Sequence, residues 1–150
     1  MNLWANNGQQ ISGNYSALLV GGFTAPAATI SQTGLVPNGT ASILFEAQAG
    51  VGGFTVTLGG ENIPFYQLSQ GSNYTLYGGN VAAFAGLTEP LTFSALEDLN
   101  GLNYWNIDDI QFSPAAVPEP NSFGLLALGG LLLAWRHWRK SSPKVSPGEH

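Results

Sequence analysis

Short alternating runs of apolar and polar residues, cut every few positions by Gly, Pro or Asn, dominate the chain from Tyr15 to Phe112. That punctuation leaves no room for a helix of several turns and predicts strands instead. The runs are Tyr15–Val20, Ala28–Thr33, Ala41–Ala49, Phe54–Leu58, Ile63–Leu68, Tyr74–Tyr77, Leu91–Leu96 and Tyr104–Phe112, with one short helical turn at Val81–Ala85. Ile43 and Phe45 share one face of their strand, as do Phe54, Val56 and Leu58 of the next. Val36-Pro37-Asn38-Gly39-Thr40, Gly50–Gly53 and Gly59-Gly60-Glu61-Asn62 read as turns, in which Pro fixes φ and Asn or Gly tolerates positive φ. Turn signals about every 8–12 residues predict an all-β antiparallel sandwich or barrel.

Charge is distributed as unevenly as it can be. The basic residues Arg136, Arg139, Lys140 and Lys144 all follow residue 135. Met1–Pro120 contains no Lys, Arg or His but carries Glu46, Glu61, Glu89, Glu97, Asp98, Asp108, Asp109 and Glu119. A surface without cations cannot neutralise phosphates, so no nucleic-acid partner is expected. Cysteine is absent, which removes disulfides and thiolate chemistry. Without His, Cys or Lys, this region cannot build a Ser-His-Asp triad, a Cys-His pair or a Schiff base. A carboxylate pair remains conceivable for glycoside hydrolysis. Asp108 and Asp109, however, are strand neighbours and should point to opposite faces, so no enzyme is expected. No cofactor is expected, but the same two acids are candidate calcium ligands. Trp4, Tyr66, Tyr74, Tyr77, Tyr104 and Trp105 offer rings for sugar stacking or for ordinary core packing.

A different region begins after Ser113. Phe123 to Trp135 is 13 residues without charge, in which Phe123, Leu125, Leu126, Leu128, Leu131, Leu132, Leu133 and Trp135 are the large apolar members. As a helix it spans about 20 Å. A bilayer core needs about 30 Å, so length alone does not decide. The flanks do. Pro118 and Pro120 stop a strand from running in, and Asn121 or Ser122 can cap a helix. Trp135 and Trp138 suit the interface, while Arg136, Arg139 and Lys140 reach the phosphates and stay on the cytoplasmic side. The run is apolar all round, unlike the striped helix of a soluble core. The organisation expected is a β domain at 1–113, a linker at 114–122, a transmembrane helix at 123–138 and a basic tail at 139–150.

Val117-Pro118-Glu119-Pro120, the apolar helix, and Trp135-Arg136-His137-Trp138-Arg139-Lys140 together resemble the PEP-CTERM sorting signal of Gram-negative bacteria. The resemblance covers about Ala116 to Lys140. It implies recognition by an exosortase, a membrane-embedded cysteine protease that cuts near the motif, with membrane lipid as a second partner. It also implies a domain outside the membrane, then export to the cell surface or extracellular matrix, often among exopolysaccharides. Ser141 to His150 departs from the pattern, because such signals usually end near the basic cluster. Ser31-Gln32-Thr33, Ala41–Gln48, Tyr74–Tyr77 and Asn106-Ile107-Asp108-Asp109-Ile110-Gln111-Phe112 resemble galactose-binding-like jelly-roll domains. That resemblance implies a glycan-binding module as the alternative to a structural or adhesive role.

Two expectations concern the front of the chain. Met1-Asn2-Leu3-Trp4-Ala5-Asn6-Asn7 has neither the positive nor the apolar region of an export signal, so a preceding segment is expected. No strand is visible there to pair near the closing strand, so an open sheet edge is expected beside it.

Overall fold

A computed structural model describes residues 2–5, 10–22, 27–49, 52–98 and 101–118, with backbone alone at 2–5 and 49. The chain divides into two units, Met1–Val117 and Pro118–His150. The first is an all-β, antiparallel, two-sheet structure. Its strands are β1 (Asn2–Ala5), β2 (Tyr15–Gly22), β3 (Ala28–Leu35), β4 (Ser42–Ala49), β5 (Phe54–Leu58), β6 (Glu61–Asn62), β7 (Phe65–Gln70), β8 (Thr75–Asn80), β9 (Thr88–Ala95) and β10 (Leu102–Ser113). One sheet has the order β1-β2-β10-β4-β8-β7, the other β3-β9-β5-β6. After β2 the chain passes repeatedly between the sheets, so each loop helps close an end of the sandwich.

Period-two alternation builds the core. Ile43, Phe45 and Ala47 of β4 face inward, opposite Val56 and Leu58 of β5 and Phe93 and Ala95 of β9. Leu19, Trp105 and Ile107 complete it from β2 and β10. Phe45 is the hub, with ring centroids of Phe54, Phe65, Tyr77 and Phe93 at 6.2, 5.5, 5.5 and 5.3 Å. Three members of the hydrophobic core lie outside the strands: Val36, Ile63 and Val81. Each is tied by its backbone, Val36 N–H to Leu87 O, Ile63 N–H to Val56 O and Val81 N–H to Ala41 O.

Most expected strands are present, with instructive shifts. The run beginning at Ile63 starts its strand only at Phe65, because Pro64 has no N–H for a ladder and Ile63 turns into the core. The run at Leu91 extends back through Pro90 to Thr88. Pro90 is tolerated because its carbonyl accepts from Gly59 N–H, just past the end of β5. Its missing N–H faces the same side, past the end of β5, so no ladder bond to β3 is lost. Glu61–Asn62, read as turn, pairs with Thr57–Leu58 as the return of a hairpin. The single 3-10 turn, Ala82–Phe84, falls where the short helical turn was expected.

The expected open edge beside the closing strand is corrected. β10 is interior, paired with β2 on one side and β4 on the other. The sequence offered little at β1, which pairs with β2 over Asn2–Ala5. Among the described residues no helix is long and apolar enough to cross a membrane. The expected span at 123–138 lies outside the described residues.

Candidate functional site

The outer face of the six-stranded sheet carries a polar layer. Glu46 of β4 stands directly opposite Asp108 of β10, two acids on adjacent strands. β10 then bulges between Asp108 and Gln111, and Asp109 takes a positive φ of 44°. Simple alternation of Asp108 and Asp109 therefore fails, because the bulge inserts extra residues that break the two-residue period.

Asp108 is fully engaged. Its Oδ2 accepts from Ser12 N–H at 3.0 Å, Ser12 Oγ at 3.2 Å and Ser16 Oγ at 3.0 Å. Its Oδ1 accepts from Asp109 N–H at 2.8 Å. Neutral donors thus disperse the charge where no cation is available. Around it, Ser16 Oγ accepts from Ile11 N–H and Asn73 Nδ2 donates to Ile11 O. Gln48 Nε2 donates to Asn73 O, which ties β4 to the turn before β8. The layer pins the segment from Ile11 to Ser16 onto the sheet.

Glu46 is the strained member. It is 9% exposed, and its Oε2 has no hydrogen-bond partner. Burial raises its pKa above the ordinary 4.5, and the charges of Asp109 and Asp108 push the same way. Hydrogen bonding from the Tyr74 hydroxyl acts against them. The Tyr74 phenol is raised in turn, first by the charge of Glu46. Among the described residues no group of three or more His, Cys, Asp or Glu side chains is arranged to hold a metal. Of the two candidate calcium ligands, Asp108 serves Ser12 and Ser16, and Asp109 Oδ2 accepts from Gln111 Nε2.

Two of the candidate sugar-stacking rings are core residues. Trp105 stacks on Phe54 at 4.3 Å and 13°, and Tyr77 stacks on Phe45 at 5.5 Å. Tyr104 is different: it lies on the outer face, exposed, opposite Val20 and two residues from exposed Leu102. Tyr66 and Tyr74 are half-buried, and the Trp4 side chain lies outside the described residues.

A groove of ≈ 290 Å³ opens between β3 and β9 on one side and the end of β10 on the other. Its walls are mainly Ile30, Leu35, Leu91, Phe93, Ile110 and Phe112.

The chain leaves the sandwich in a defined way. Ser113 O accepts from Ala41 N–H at 2.8 Å, and Ser113 Oγ accepts from Ala115 N–H at 3.1 Å. Ser42 Oγ, on a fully buried residue, donates to Ala115 O at 2.7 Å. Val117 then lies over Gly78. A β-carbon on Gly78 would stand 2.8 Å from Val117 Cγ2, 2.8 Å from Leu68 Cδ1 and 2.9 Å from Leu44 Cδ2. Val117 is half-buried and Pro118 is exposed. The remaining motif residues Glu119 and Pro120 lie outside the described residues. So do the anchor residues Phe123, Leu125, Leu126, Leu128, Leu131, Leu132, Leu133 and Trp135, and the basic residues Arg136, Arg139 and Lys140.

No curated protein and no solved structure matches the chain. Residues 116–140 match the PEP-CTERM protein-sorting motif, so the last three described residues, Ala116 to Pro118, are the first of a signal that implies an exported, exosortase-processed protein.

Proposed function

We propose that the β domain is the mature part of a cell-surface or extracellular-matrix protein with a structural or adhesive role. Phe123–Trp138 holds the precursor in the membrane, Arg136, Arg139 and Lys140 stay on the cytoplasmic side, and the domain lies outside. An exosortase then cuts near Glu119. The match of residues 116–140 to the sorting motif carries this reading. The domain's chemistry agrees with it: a cation-free, cysteine-free antiparallel two-sheet structure, in which the engaged polar groups hold loops to the sheet. Replacing the motif (Pro118→Ala, Glu119→Ala, Pro120→Ala) should leave a full-length, cell-associated precursor. Release of that variant at the wild-type rate would sink the proposal.

A second reading, a glycan-binding module delivered by the same route, is favoured by one observation. Tyr104 is an exposed ring on the outer face of the six-stranded sheet, in a region whose sequence from Met1 to Pro120 carries no Lys, Arg or His. On that reading Tyr104→Ala abolishes retention on exopolysaccharide without changing the melting temperature. Equal retention of both proteins would leave the structural role alone.

A further inference from the structure

The β domain does not end in a free linker before the sorting motif; it seats the residues that lead into it. Ala115 is held by its carbonyl to Ser42 Oγ. Val117, the residue before Pro118, sits in a notch that exists because position 78 has no side chain. Any β-carbon there would press on Val117, Leu44 and Leu68 together. A glycine within a strand otherwise weakens it, and its usual reason is the close approach of another group. Here that group is Val117, at the start of the motif.

We propose that Ser42, Leu44, Leu68 and Gly78 form a seat for Ala115–Val117, and that these residues control when the start of the sorting motif is free. The inference rests on the exosortase reading above. Proteases commonly bind substrates as extended strands through main-chain hydrogen bonds and side-chain pockets. A seated segment offers neither, because the Ala115 carbonyl is already bonded and Val117 already packed. Cutting near Glu119 then requires Ala115–Val117 to leave the sheet first. Such local openings lie well below global unfolding in free energy when few apolar contacts and exposed hydrogen bonds hold a segment. Processing is thereby made to wait on an opening of the folded domain, and the intact seat slows cutting.

A reversible lock tests this on the full chain in its native host. A sulfur in place of Val117 Cγ2 would stand 2.8 Å from a β-carbon at residue 78. That spacing suits a disulfide, in which a sulfur lies roughly 3 Å from the far β-carbon across an S–S bond of about 2.05 Å. The chain has no other cysteine, so Gly78→Cys with Val117→Cys can bridge in one way only. The oxidised double variant should remain uncut, and reduction by dithiothreitol should restore cutting, to at least the rate of wild type because the β-carbon at residue 78 also crowds the seat. Separately, Ser42→Ala should speed cutting about 5-fold, the opening factor of one net hydrogen bond. Equal cutting of the oxidised and reduced double variant overturns the seat while leaving the sorting reading intact. An unchanged rate in Ser42→Ala also counts against it. A wild-type chain that is never cut overturns the sorting reading, and the role of the seat with it.

Discussion

Glu46 is where the polar layer is least satisfied, and its consequences can be read from pH. Its folded pKa is raised by burial and by Asp109 and Asp108, so the folded state holds the proton more tightly than the unfolded chain. Stability contributed by this proton is fully present below about pH 4.5 and is lost as pH rises through the higher folded value. Glu46→Gln removes that loss, and its amide has neighbouring carboxylates to donate to. The expected result at pH 7 is a higher Tm than wild type. A thermal melt series from pH 4 to pH 8 checks it: the variant should lose less stability across that range than wild type. Asp108 works the other way, because it gathers bonds. Asp108→Ala strips the acceptor from Ser12 N–H, Ser12 Oγ and Ser16 Oγ. The cost should be about 2 kcal/mol, with amide exchange accelerated first at Ile11 and Ser12.

At the scale of elements, Asn103 on β10 joins both sheets. It is fully buried, and its Nδ2 donates to Gly53 O at 2.6 Å and Leu96 O at 2.9 Å. Asn103→Ala leaves two carbonyls without that donor and should cost about 2 kcal/mol in denaturant unfolding. Nothing in the local sequence marks Asn103, since an Asn beside turn residues reads as a loop residue. β4 and β5, by contrast, were legible because Ile43, Phe45, Val56 and Leu58 alternate without interruption. Pro64 and Pro90 show the limit from the other side. Both prolines were visible, but what each does to its strand depends on which side its missing N–H faces, and that is fixed only by partner strands. The bulge at Asp109 is also set by pairing: β4 and β10 must come back into register after it. Of the candidate site, the motif from Val117 onward could be read directly. The seat at Gly78 could not, because it joins Ser42, Leu44, Leu68 and Gly78 from three strands.

At the scale of the molecule, an aromatic hub on Phe45 sustains a domain that has no disulfide, and Phe45→Ala should cost about 3–5 kcal/mol. Acids without cations make the β domain repel anionic surfaces, while every Lys and Arg sits beyond the apolar run. The proposed reading, which rests on the motif match at residues 116–140, puts domain and tail on opposite sides of a membrane and makes the tail the part removed. Mass spectrometry of the C-terminal peptide of the mature, surface-located protein tests this most directly. The account predicts a terminus close to Glu119, with Arg136 to His150 gone. A mature protein that keeps Arg136 to His150 would contradict it.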